Sequence, residues 1–173
     1  MKHWYMLTVV GGDRPGIVSH LTHALYEGGC NLGETSMMRL GGNFTIMMMV
    51  QSEGSRKALD ALIEPVIDSL GLHAHIDPIE GGLHQHQIPD VRIRVFGADR
   101  AGIVAQVTAI LASAGFNILE LESDVAGSEK DPVYIMNIQG FTDATVESLQ
   151  QALQGLDEQG VEVQVSAIET LIG

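Results

Sequence analysis

A segment that opens Gly-Gly-Asp-Arg-Pro-Gly-Ile-Val at Gly11 returns as Gly-Ala-Asp-Arg-Ala-Gly-Ile-Val at Gly97, an offset of 86 residues. Between residues 11–32 and 97–118, ten of 22 positions are identical without a gap, well beyond chance. A repeat of this length is one folding unit used twice, and 173 residues suffice for two small domains. The expected boundaries are a first domain at residues 1–80, a linker at 81–89 rich in Gly, His and Gln, and a second domain at 90–173. Glu34 and Glu120 extend the match. Beyond them the second copy is expected to carry about three extra residues, so that Met47 finds its counterpart in Met136.

Each copy parses into the same six elements. β-Branched and aromatic runs, His3 to Val10 and Val91 to Phe96, end at glycine and read as first strands. Apolar residues at Ile17, Val18, Leu21, Ala24 and Leu25, mirrored by Ile103, Val104, Val107, Ile110 and Leu111, have the spacing of an amphipathic helix. Gly28-Gly29 and Gly115 end these helices. Two strands follow, Cys30–Leu40 and Phe44–Gln51 around Gly41-Gly42-Asn43, then Phe116–Ala126 and Val133–Gln139 around a longer polar turn. A second helix is capped at Ser55, with Leu59, Leu62, Val66, Ile67 and Leu70 inward, and Pro65 predicts a kink or a late restart. Its counterpart starts near Thr142 and uses Val146, Leu149, Leu153 and Leu156. Last strands run from Leu72 to Ile79 and from Val161 to Ile168. The order βαββαβ, twice, predicts an α+β chain of two ferredoxin-like units, each an antiparallel sheet with helices on one face.

Phe44-Thr45-Ile46-Met47-Met48-Met49-Val50 is apolar on both alternating sets, so the sheet face away from the helices needs cover as well. The repeats shielding each other, a homodimer and a docked partner all satisfy this; pairing of repeats plus dimerisation is the expectation. Charge narrows the partners further. With 22 acidic and nine basic residues the net charge is −13, which disfavours direct binding to nucleic acid or to anionic lipid. The apolar stretch Trp4–Val10 is too short to cross a bilayer, and a cytoplasmic protein is expected.

The segment from Asp13 to Gly16 joins a first strand to a first helix, where unpaired amides and the positive end of the helix dipole make an anion site. Glycines 11, 12 and 16 admit a ligand or a second backbone, Pro15 is tolerated in a first turn, and Asp13 either caps the helix or holds an ammonium. Asn31 can both donate and accept, and the pair recurs as Asp99 with Asn117. Together these suit a small α-amino acid. Asp before a helix is also an ordinary cap, and Asn after glycine an ordinary turn residue.

Histidine pairs offer a rival reading as a metal site: His20 with His23, His73 with His75, His84 with His86. Solvated surface histidines account for them without a metal, and no metal or other cofactor is expected. The single cysteine, Cys30, excludes an internal disulfide and aligns with Phe116, which reads as a small buried apolar residue and not a nucleophile. No triad, phosphate loop or GxGxxG is present, so catalysis is not expected. A structural adaptor with no amino-acid ligand remains the alternative function, alongside metal binding.

The motif G-x-D-R-P/A-G-I-V, followed by a helix, G-x-N and the βαββαβ order, resembles the ACT domain, a ligand-sensing module of amino-acid metabolism, in both halves of the chain. Two such domains alone resemble the glycine cleavage system transcriptional repressor family. That resemblance implies regulation without catalysis, sensing of a small amino acid, and contact with a DNA-binding regulator protein. It places the ligand site at Gly11, Gly12, Asp13, Arg14, Pro15, Gly16 and Asn31, and secondarily at Asp99, Arg100, Gly102 and Asn117. The second repeat departs from the motif at Ala101, where proline is expected, which makes the first repeat the stronger site.

Overall fold

Alternation of apolar side chains decides which way each central strand faces. In β1 (His3–Gly12) Tyr5, Leu7 and Val9 are buried, and in β3 (Asn43–Ser52) so are Phe44, Ile46, Met48 and Val50. The period of two sends these side chains to one face, where they meet Ile17, Leu21 and Leu25 of α1 (Ile17–Glu27) and Leu59, Ile63 and Ile67 of α2 (Arg56–Leu70). A buried Leu or Ile contributes about 1.5–3 kcal/mol relative to exposure, so this cluster holds the unit together. The computed structural model describes residues 2–80, 87–98, 102–128 and 131–168. It divides into two compact units, Met1–His84 and Gln85–Gly173.

With β2 (Asn31–Leu40) and β4 (His73–Ile79), the first sheet has the order β2-β3-β1-β4, every neighbouring pair antiparallel. The second unit repeats it. β5 (Val91–Ala98), α3 (Ile103–Ser113), β6 (Asn117–Ser128), β7 (Asp131–Phe141), α4 (Val146–Leu153) and β8 (Val161–Ala167) give the sheet order β6-β7-β5-β8. Its core packs Val107 and Leu111 of α3 together with Ile93, Met136 and Ile138 of the sheet. These are the ferredoxin-like units that the element order predicts.

Register corrects the predicted alignment of the two hairpins. Leu7 pairs with Met48, and Ile93, its counterpart at an offset of 86, pairs with Ile138. The second copy therefore gains four residues, not three: Met136 occupies the place of buried Ile46, while Met47 lies on the opposite face and aligns with Asn137. A slip of one residue changes the face of every side chain, and matching methionine to methionine made that slip. The additional residues extend both strands by two rungs, Gly127 with Pro132 and Ser128 with Asp131. In the first unit the hairpin closes through Gly41-Gly42, both left-handed. β2 and β6 share an irregularity at the same place, after Leu32 and after Ile118.

The helices hold further corrections. α2 runs unbroken from Arg56 to Leu70, with exposed Pro65 inside it, so there is no restart. Its buried line is Leu59, Ile63 and Ile67, with Leu62, Val66 and Leu70 packed partly against the core. α4 begins at Val146, not near Thr142, because Thr145 is the cap whose hydroxyl accepts from the Ser148 amide at 3.2 Å. The helix then tightens into a 3-10 turn, Gln154–Gln159, that keeps Leu156 buried.

The sheet faces away from the helices differ in kind. On the first unit Met6 stands beside Met49, and Thr8 beside Met47, with Trp4 over Gly33 near the β2 irregularity. The equivalent rungs of the second unit hold Arg92 beside Gln139 and Arg94 beside Asn137.

Candidate functional site

Gly16 shapes the loop between β1 and α1. It adopts φ 89°, a left-handed value that disfavours side chains, and starts α1 with no side-chain cap. Asp13 is therefore not the cap that its position before a helix suggests. Its carboxylate pairs with Arg39 of β2 at 2.5 Å, and its main-chain N–H donates to the Gly42 carbonyl at 3.0 Å. The loop is tied to the tip of the β2–β3 hairpin. Arg14 and Pro15 are exposed, and Arg14 has no ion-pair partner among the described residues. Gly102 repeats the geometry at the start of α3, with φ 88° and no side-chain cap.

His20 also belongs to this loop, and sequence reasoning placed it only in a histidine pair. Its Nδ1–H donates to the Gly16 carbonyl at 2.7 Å, one helical turn back. The spacing Gly16-x-x-x-His20 was the available signal, since residues four apart on a helix lie over one another. Gly11 has a packing reason: a β-carbon there would lie 2.5 Å from a side-chain carbon of Leu72 and 3.3 Å from its Cα. The position therefore needs glycine for the close approach of Leu72. An apolar depression of about 300 Å³, lined by Val10, Met38, Leu40 and Phe44 among others, lies at the same end of the sheet.

Asn31 is at the other end. It opens β2 opposite Gln51, which in turn faces Trp4 near the start of β1, whereas Gly12 faces Asn43. Eight residues of strand separate the two ends, about 26 Å. Within one unit a single amino acid does not touch both the Asp13–Gly16 loop and Asn31, which corrects their assignment to one site. The cause is topological: β1 and β2 run parallel, so α1 carries the chain back before β2 begins. Asn31 donates from Nδ2 to Gln51 Oε1 at 3.4 Å, and Asn117 donates to Gln87 Oε1 at 3.2 Å. Asp99, Arg100 and Ala101 lie outside the described residues.

The histidines disperse. His23 pairs with Glu27 at 3.3 Å and His75 with Asp77 at 3.1 Å, both exposed; His84 and His86 lie outside the described residues. Among the described residues no three His, Cys, Asp or Glu side chains converge on a metal position. Cys30 is buried, with its thiol 3.9 Å from the Gly28 carbonyl. No described helix is long and apolar enough to cross a membrane.

Two βαββαβ units, each starting its first helix at a left-handed glycine, define a chain of paired α+β modules with a repeated loop after the first strand. Residues 3–77 match one ACT-domain model and residues 91–154 match another, so the chain belongs to the ACT-domain family. It is similar to the glycine cleavage system transcriptional repressor of Escherichia coli K12, 28% identical over 142 residues, covering 80% of this chain and 73% of that protein. It is also similar to the UPF0237 protein YjhC of Lactococcus lactis, 36% identical over 72 residues, 41% of this chain and 83% of that one. A crystal structure of a protein from Galdieria sulphuraria superposes with a TM-score of 0.78 at 25% identity, covering 98% of this chain and all of that one.

Proposed function

We propose that this chain is a non-catalytic cytoplasmic regulator that binds a small amino acid and passes its occupancy to a protein partner. The carrying observation is the start of α1: an uncapped helix N-terminus presented by a loop already pinned through Asp13. Such a terminus favours a carboxylate, through its free amides and its dipole. Asp13 is already neutralised by Arg39, so the ligand ammonium falls to Asn31. Because Asn31 lies at the far end of its own sheet, the asparagine at this site comes from a second copy of the chain, and a homodimer belongs to the reading. The second unit, with Gly102 and Asn117, is a secondary site of the same kind.

Regulation is supported by the likeness to the E. coli repressor, and amino-acid metabolism, glycine cleavage in particular, is the field that likeness suggests. At a net charge of −13 the chain does not itself grip DNA phosphates; a separate DNA-binding regulator makes that contact. Ligand biases the partner-binding form only by its differential affinity for the two forms.

The test is a thermal-shift and calorimetry screen against the proteinogenic amino acids. One of them, at a hundred times its Kd, should stabilise the protein by about 2.7 kcal/mol, and Asn31→Ala should abolish that gain while remaining folded. Absence of heat with every amino acid at millimolar concentration, or undiminished binding by Asn31→Ala, defeats the reading.

A further inference from the structure

The helix-free face of the second sheet carries an ordered charge pattern. On one rung Arg92 of β5, Gln139 of β7 and Glu120 of β6 stand in line; on the next, Arg94, Asn137 and Glu122 do. These side chains share the face opposite to buried Ile93, Val95 and Ile138. Among the described residues neither arginine and neither glutamate has an ion-pair partner. Each arginine is two strands from its glutamate, roughly 9.6 Å across the sheet. Two arginines two residues apart on one strand repel each other, as do the two glutamates.

The strand order β6-β7-β5 gives this pattern a symmetry. β5 and β6 both run antiparallel to β7, hence parallel to each other, and they lie equally far on either side of it. A two-fold axis laid along β7, between two stacked sheets, turns β5 of one copy over β6 of the other and keeps each rung at its own level. Arg92 then faces Glu120 of the second copy and Arg94 faces Glu122, each twice, while Gln139 and Asn137 meet their own copies at the axis. This is the self-complementarity an isologous pair requires. The first unit lacks it, with Met6 and Met49, then Thr8 and Met47, on the matching rungs. We infer that a second copy of this chain docks on the helix-free face of the second sheet, through this reciprocal arginine–glutamate pairing. It rests on the homodimer of the ligand reading and assigns the surface on which the chain pairs; a wild-type monomer defeats both, whereas charge reversals that leave the midpoint unchanged defeat this surface alone.

The full chain is tested by sedimentation with two charge-reversed variants, Arg92→Glu/Arg94→Glu and Glu120→Arg/Glu122→Arg. Each alone sets like charges across both halves of the interface and should move the association midpoint at least about tenfold toward higher concentration. Mixed in equal amounts they restore opposite charges in both halves, so the mixture should associate again near the wild-type midpoint. An unchanged midpoint in either variant, a mixture of folded variants that stays dissociated, or a wild-type chain that sediments as an 18.6 kDa monomer at 200 μM, the roughly millimolar-to-micromolar span of weak pairs, overturns the inference. If a reversal unfolds its unit, the neutral pair Arg92→Gln/Arg94→Gln is read in its place: a raised midpoint supports the interface and an unchanged one overturns it.

Discussion

The two sheets agree on one face and disagree on the other. Under the helices Leu7 matches Ile93, Ile46 matches Met136, Met48 matches Ile138 and Leu25 matches Leu111, all of them buried. On the helix-free side a methionine surface in the first unit corresponds to an arginine, asparagine and glutamine surface in the second. The helix-covered face is fixed by each unit's own stability, because dense packing tolerates only similar volumes. The free face answers to what lies outside the unit. Duplication therefore preserved a core and left two surfaces open to separate use.

The sharpest way to break this comparison is to empty one core. Leu25→Ala and Leu111→Ala stand at equivalent, fully buried positions and should each cost about 2–5 kcal/mol. Urea unfolding followed by hydrogen exchange should show amides exposed first in the unit that carries the change; equal loss in both units would mean the cores are not separate. A smaller effect sharpens the role of the glycines before the loop. Gly11→Ala, which drives a methyl group into Leu72, should destabilise by about 1–3 kcal/mol, whereas Gly12→Ala, with nothing within 4 Å, should stay within about 0.5 kcal/mol of wild type in melting experiments. The smallest effect compares caps. Ser55→Ala and Thr145→Ala each remove a hydroxyl that accepts from an amide three residues on, and each should cost about 1 kcal/mol. A loss confined to Ser55→Ala would show that α4 is held by Leu149 and Leu153 rather than by its start.

Element order was legible because it rests on periodicity that both copies display. Strand register was not: Met47 and Met136 are alike in type but lie on opposite faces, and only the pairing of Leu7 with Met48 and of Ile93 with Ile138 shows it. Pro65 does not produce the late restart, since a helix packed along Leu59, Ile63 and Ile67 retains enough contacts to run through a missing donor. The loop does join β1 to α1, but Asp13 does not cap the helix. Its ion-pair partner, Arg39, is 26 positions away in sequence and becomes adjacent only when the β2–β3 hairpin folds back. Asn31 is the converse, close to the loop in element order and remote from it within its own sheet.

The tie between loop and hairpin also bears on how entropy is divided between folding and binding. Asp13 is fixed through its amide to Gly42 and through its carboxylate to Arg39, so the β1–α1 segment loses its freedom when the hairpin forms. On the proposed reading a ligand would meet a segment already ordered at Asp13, and a preorganised segment retains in affinity what a loose one spends on being ordered. In the second unit the position equivalent to Arg39 is Val125, which carries no charge to hold an aspartate. Equal motifs therefore need not be equally preorganised, because in the first unit the ordering of Asp13 is part of folding itself.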